Sequence, residues 1–126
     1  DTGERIAGVC GEDGGLADTT EVLLGGFARM PLQRTNTTIS CVVTNARLTK
    51  AQATKVAQMS ADAYAHAISP THTTNDGDTV FVMATGEVDA PVDVVGALAT
   101  RALGRAIADG ARSATSAYGY VAARDL

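Results

Sequence analysis

The chain contains no tryptophan, and aromatic residues make up only 4% of it. A core built from this sequence must therefore rest on Val, Leu, Ile and Ala, and its thirteen glycines point to close backbone packing rather than bulky filling. Cysteine is nearly missing as well, with Cys10 and Cys41 the only two. Two thiolates form a zinc site only with help from His or carboxylates, and neither His66 nor His72 stands at ligand spacing from them. Cys41 lies inside an apolar run and reads as a small buried core residue, with a reducing cytoplasm as the expected compartment. No apolar run approaches the roughly 20 residues that a membrane helix needs, and no secretory signal is visible. Lysine and arginine form no stripe, aromatics are not interleaved with them, and the formal net charge is −4. Nucleic acid and a polybasic membrane anchor are therefore not expected as partners. No GxGxxG or GxxxxGK[ST] follows an apolar segment, so no phosphate-cradling loop and no cofactor is expected.

What is present suits one globular domain or part of one: 126 residues, 45% hydrophobic and 19% charged. The chain opens on Asp1-Thr2-Gly3-Glu4-Arg5 without a methionine, which leads us to expect a processed piece of a longer protein. Residues 1–36 are punctuated by Gly3, Gly8, Gly11, Gly14, Gly15, Gly25 and Gly26. They read as loops with short strands at Arg5–Val9 and Val22–Leu24.

The pattern becomes regular from Thr37 onward. Thr37–Thr44 is rich in Thr, Ile and Val, and its continuous apolar run predicts a strand buried on both faces. Thr49-Lys50-Ala51-Gln52 fits a capping box, opening a helix to about Ile68 with Val56, Met59, Ala63 and Ala67 along one stripe. Ser69-Pro70 stops it. After the polar loop Thr71–Asp78, Thr79–Thr85 reads as a second buried strand ended by Gly86. Pro91 then suits the first turn of a second helix, with Asp89 or Ala90 as its cap, running to about Ser113. Val95, Leu98, Ala102, Leu103, Ala106 and Ile107 are expected inward, and Gly96, Gly104 and Gly110 mark close approach of another helix. A short strand over Ala117–Ala122 completes the expectation. A parallel sheet with a crossover helix fits this order, and so does a layered mixed sheet.

Two groups of residues carry chemistry. Asn36-Thr37-Thr38 stands at the entrance of the first strand. A threonine hydroxyl there can attack the preceding carbonyl, and breakage of Asn36–Thr37 leaves Thr37 with a hydroxyl nucleophile and a free α-amine on one residue. Asn75-Asp76-Gly77-Asp78-Thr79 precedes the second strand. Its two carboxylates, Asp76 and Asp78, can hold an α-ammonium and accept a hydrogen bond from the hydroxyl. Asp-Gly is also a common turn element, so a plain turn is the competing reading. A divalent cation is the other, but the DxDxDG spacing of a calcium loop is missing, so no metal is expected. His66 and His72 flank the end of the first helix, and the sequence gives neither an orienting partner. Asn45 is a conceivable oxyanion donor.

Taken in order, Asn36-Thr37-Thr38-Ile39, Val43-Thr44-Asn45-Ala46, Leu48-Thr49-Lys50-Ala51-Gln52, Asp76-Gly77-Asp78-Thr79-Val80-Phe81 and Ala84-Thr85-Gly86 resemble the small C-terminal subunit of the DmpA-like N-terminal-nucleophile hydrolases. Threonine in place of serine looks most like the branch of that family acting on 6-aminohexanoate (nylon-6) oligomers. The resemblance implies a four-layer αββα sandwich, only part of it in this chain. Residues 1–36 would be the end of the large N-terminal subunit and 37–126 the small nucleophile subunit. It implies self-cleavage between Asn36 and Thr37, with Thr37 as nucleophile and Asp76 and Asp78 in support. The partners implied are the large subunit of the same precursor, which supplies a lysine and an asparagine, an amide substrate, and further copies in a homo-oligomer. Competing expectations are an aminopeptidase on short D-, L- or β-peptides and a non-catalytic αβ assembly domain.

Overall fold

The computed structural model describes residues 3–26 and 37–126. Along the chain the elements are α1 (Thr19–Gly25), β1 (Ile39–Ala46), α2 (Lys50–Ser60), α3 (Asp62–Ala67), β2 (Thr79–Val88), α4 (Val92–Ser113) and a short 3-10 turn at Ala123–Asp125. The fold is thus mixed α/β, and it divides into two compact units, one from the two ends of the chain and one from residues 32–105.

In the central unit β1 and β2 pair in parallel, Ile39 opposite Thr79 through Thr44 opposite Ala84, with the α2–α3 segment as the crossover. This is the parallel arrangement with a crossover helix that the element order allowed. The register then slips, so that Ala46 faces Val88. Gly86, at φ +80°, lies in this stretch. It is therefore a kink inside β2 and not the end of the strand, since a left-handed backbone favours glycine where a ladder is interrupted.

Burial alternates along β1 instead of being continuous. Ser40 and Ala46 are buried and Val42 and Thr44 half-buried on one face, while Ile39 and Val43 on the other are 70% and 68% exposed. Phe81 and Met83 on β2 are exposed in the same way, and so is Cys41, which is not the core residue expected from its apolar neighbours. Successive strand side chains point to opposite faces, and this unit's helical layer covers only one of them. On the covered face, Ala46, Val56, Val95 and Ala99 form the core, with Val42, Leu48 and Val82 packed against it.

The capping box is complete: Thr49 Oγ1 accepts from Gln52 N at 3.3 Å and Gln52 Oε1 accepts from Thr49 N at 2.8 Å. The expected single helix is divided at Ala61. There the Ser60 hydroxyl donates to Val56 O at 2.7 Å, a bond back onto the preceding turn that bends helices. Of the expected stripe, Val56 and Ala63 are buried and Met59 is half-buried, but Ala67 is exposed; Tyr64 takes the inner position.

Pro91 precedes the first helical residue of α4, and its carbonyl accepts from Val95 N at 3.1 Å, so it holds the cap position itself. The buried stripe of α4 is Val95, Gly96, Ala99 and Leu103. Leu98, Ala102 and Ala106 are exposed, because the helix is rotated to bring the Val95–Ala99–Leu103 row inward. Gly96 admits Met59, whose thioether would collide with any Cβ there, and Thr100 Oγ1 lies 2.9 Å from both Met59 O and Gly96 O. A Cβ at Gly104 or Gly110 would meet no described atom within 4 Å, so close helix approach is confined to Gly96 among the three.

In the unit built from the chain ends, neither expected strand at Arg5–Val9 or Val22–Leu24 forms. Cys10 and Leu16 make one isolated bridge, and Val22–Leu24 lies in α1. The reason is the cap: Asp18 Oδ1 accepts from Thr20 N at 2.8 Å and Glu21 N at 3.2 Å, and Arg5 pairs with the same carboxylate. The Glu21 and Thr20 amides, with Arg5 beside them, hold the Asp18 carboxyl below its ordinary value of 3.8. Its folded value thus lies under the unfolded one, so the cap contributes fully above about pH 4 and is lost as pH falls through the lowered value. Ala117–Ala122 is a turn closed by the Ala117–Tyr120 bridge, with Tyr118 at φ 54° and Gly119 at φ +85°, and not a strand.

Replacing Thr49 by Ala removes the hydroxyl half of the capping box and should cost about 1 kcal/mol. The urea midpoint of unfolding should fall accordingly, and an unchanged midpoint would remove the cap from the stability of α2.

Candidate functional site

Parallel pairing has a geometric consequence. Because β1 and β2 run the same way in register, the residues that lead into each strand meet at one edge of the sheet. Thr37-Thr38 and Asp76-Gly77-Asp78 are far apart in sequence but adjacent there. Thr79 N donates to Thr38 O at 2.9 Å, which carries the ladder up to the strand entrances.

Asp78 is the anchor of this edge. Its side chain is only 10% exposed. Oδ1 accepts from Thr38 N at 2.9 Å and Oδ2 from Thr71 Oγ1 at 3.2 Å, so the buried carboxylate is satisfied on both oxygens. His72 Nδ1 stands 3.8 Å from Oδ2, with the His72 backbone at φ 56°. Asp76 closes the loop: Oδ2 accepts from Thr73 N at 2.7 Å, and its own N–H donates to Thr73 O at 3.1 Å. Gly77 is the point of closest approach, since a Cβ there would come within 2.8 Å of Thr37 Oγ1. The hydroxyl of Thr37 therefore rests against the bare backbone of Gly77.

These groups open into a cleft of about 200 Å³ lined by Thr37, Thr38, Thr71, Asp76 and Asp78, with Ile68 and Pro70 as its apolar side. The three residues singled out from the sequence, Thr37, Asp76 and Asp78, are thus brought to one cleft. Asn36, and with it the Asn36–Thr37 bond, lies outside the described residues. Asn45 is exposed near the other end of β1, roughly 20 Å along the strand from its entrance, too far to act as an oxyanion donor at Thr37. His66 is exposed on α3.

Sequence reasoning missed two participants. His72, with a left-handed backbone, brings its Nδ1 to 3.8 Å from Asp78 Oδ2, an approach that the sequence did not announce. Tyr64 is the other. It is 1% exposed, and its hydroxyl lies 2.8 Å from Ser40 Oγ, 3.1 Å from Thr79 O and 3.2 Å from Thr38 O. Its signal was available: Tyr64 follows Val56 and Ser60 at helical spacing, and both of those are buried.

Similarity to known proteins accompanies this geometry. The pattern of peptidase family S58 matches residues 5–123. An uncharacterized aminopeptidase of Mycobacterium leprae is 48% identical over 69 residues, covering 53% of this chain and 19% of that protein. One of Mycobacterium tuberculosis is 36% identical over 106 residues, covering 72% of this chain and 31% of that protein. A 6-aminohexanoate-oligomer endohydrolase of a Kocuria species is 41% identical over 59 residues, 47% of this chain and 17% of that protein. The chain spans less than a third of the length of these curated relatives.

Replacing Asp78 by Ala leaves the Thr38 amide without its charged acceptor, a bond worth about 1.5–3 kcal/mol. Hydrogen exchange at Thr38 should accelerate by at least about tenfold in a protein that remains folded. Unchanged protection would mean that Asp78 does not hold the entrance of β1.

Proposed function

The chain belongs to peptidase family S58, and from that premise we propose that it carries the nucleophile of an autoprocessing amide hydrolase of the DmpA-like type. The observation that carries this reading is the Thr37 hydroxyl resting against Gly77 in one cleft with Asp76 and Asp78.

In the precursor, Thr37 Oγ attacks the carbonyl carbon of Asn36. The acyl group shifts from nitrogen to oxygen, and water resolves the ester. Thr37 then begins the small subunit, and the residues that precede it end the large one. In the mature enzyme the free α-amine has a reference pKa of about 7.7–8.0. Its neutral form takes the Oγ proton as the hydroxyl attacks a substrate amide and returns a proton to the leaving amine. Asp76 faces the cleft to receive the ammonium form, while Asp78 holds the backbone of Thr38 and so aims the nucleophile. Donors to the tetrahedral oxyanion, each worth about 3–4 kcal/mol, come from the large subunit, as do the lysine and asparagine of the complete site.

The uncovered apolar face formed by Ile39, Val43, Phe81 and Met83 supports a four-layer αββα sandwich, in which a second sheet packs on it. On the family resemblance alone, the assembly is a homo-oligomer of cleaved heterodimers. The substrate is a linear amide, and the likeness to 6-aminohexanoate-oligomer endohydrolases favours nylon-6 oligomers. Aminopeptidase action on short peptides is the second reading, favoured by the longer match to the mycobacterial relatives. Assay of an aminohexanoate oligomer against a short peptide amide separates the two.

In the full-length protein Thr37→Ala should give an uncut, inactive chain on a denaturing gel; a cut product would remove Thr37 from its role. Asp76→Ala and Asp78→Ala should each lower turnover by at least about tenfold in folded protein, within the range of acid–base and positioning effects. Unchanged turnover in both would return the Asp76-Gly77-Asp78 loop to being a plain turn.

A further inference from the structure

We infer that Tyr64 is a positioning residue for the Thr37 nucleophile, acting through the backbone of the two strand entrances. The inference rests on the amide-hydrolase reading above and deepens it. Tyr64 lies on α3, away from the residues that define that reading, and it does not line the cleft.

Its placement is specific. Thr38 directly follows Thr37, and Thr79 directly follows Asp78. The buried Tyr64 hydroxyl touches the carbonyl oxygens of both, at 3.2 Å and 3.1 Å, and Ser40 Oγ at 2.8 Å. A phenol has one proton to donate and can also accept. The hydroxyl is within donating distance of Ser40 Oγ and of both carbonyls, and the Ser40 hydroxyl can in turn donate to the phenol oxygen, which frees the phenol proton for the carbonyls. In the preceding peptide, which joins Thr37 to Thr38, Thr38 N donates to Asp78 Oδ1. The Thr38 residue is therefore held at both its N–H and its C=O, by a carboxylate of one entrance and a phenol from the crossover helix. Thr79 N completes the clamp by donating to Thr38 O.

This clamp fixes the backbone of the residue that follows the nucleophile. A core tyrosine that served packing alone would satisfy its hydroxyl anywhere, and a phenylalanine would do as well. Here the hydroxyl reaches the carbonyls of Thr38 and Thr79, the residues that directly follow Thr37 and Asp78. Displacements on the ångström scale at a reacting group are costly, up to about a hundredfold in rate. Loss of the hydroxyl should therefore lower the rate constants and leave substrate affinity alone, because the ring does not touch the cleft.

The test is Tyr64→Phe in the full-length protein, followed for rate of self-cleavage and for kcat and KM on an amide substrate. We expect self-cleavage and kcat to fall about tenfold, with KM within about twofold of the parent. Ser40→Ala removes a second member of the clamp and should lower kcat in the same direction. The double variant should be less damaging than the product of the two single effects, because both act on one network. Ser40→Ala keeps the inference open to refutation if Tyr64→Phe does not fold. Unchanged cleavage and kcat in either folded variant, or a fall in stability alone, would overturn the positioning role. The outcome is separable from failure of the hydrolase reading: a cut or active Thr37→Ala would sink that reading, whereas an inactive Thr37→Ala beside a fully active Tyr64→Phe would sink only this inference.

Discussion

The parallel pairing of β1 with β2 is the constraint from which the site follows. Had the two strands run antiparallel, the entrance of one would lie beside the exit of the other. Thr37 and the Asp76–Asp78 loop would then stand at opposite ends of the sheet. The crossover through α2 and α3 brings both entrances to one edge. Its cost is the ordering of a long connection, offset by burial of Val56, Ala63 and Tyr64 beneath the sheet. The hydrogen bond from Thr38 N to Asp78 Oδ1 then ties the two entrances at the point where the ladder would otherwise fray. A carboxylate that is 10% exposed is costly unless its oxygens are used, and Asp78 uses both. The same group thus keeps the edge closed and keeps Thr37 beside Gly77.

Among the described residues, a helical layer covers one face of the sheet. Val42, Ala46 and Val82 meet the helical layer, whereas Ile39, Val43, Phe81 and Met83 do not meet it. Such a contiguous apolar surface marks an interaction site more often than a solvated one. It accords with a chain that spans less than a third of its curated relatives. The helical side, by contrast, is closely fitted. Gly96 gives Met59 its place, and Thr100 bonds the Met59 and Gly96 carbonyls where the helices approach.

How much of this could be read from residues alone varied with the kind of signal. The capping box at Thr49 and Gln52 was legible because it is local and stereochemical. The stop before Pro70 was legible for the same reason. The two strands after Thr37 stood out by composition, but their burial did not. A continuous apolar run implies two covered faces only when both layers lie in the same chain. Val22–Leu24 looked like a strand by its side chains, and the Asp18 cap made it a helix. Ser60 divided the first long helix through a bond to Val56 O that no spacing rule announces. At the candidate site, Thr37, Asp76 and Asp78 were singled out by type and order, and they line one cleft. Tyr64 offered only its helical spacing from Val56 and Ser60, and the neighbours of Tyr64 and His72 at the strand entrances are brought to them by the crossover.

The most direct test is the mass of the mature full-length protein together with its N-terminal residues. Two fragments, the smaller beginning at Thr37, are the predicted result in active material. A single unbroken chain with full hydrolytic activity would contradict the account, because no residue 37 amine would then exist to accept the hydroxyl proton.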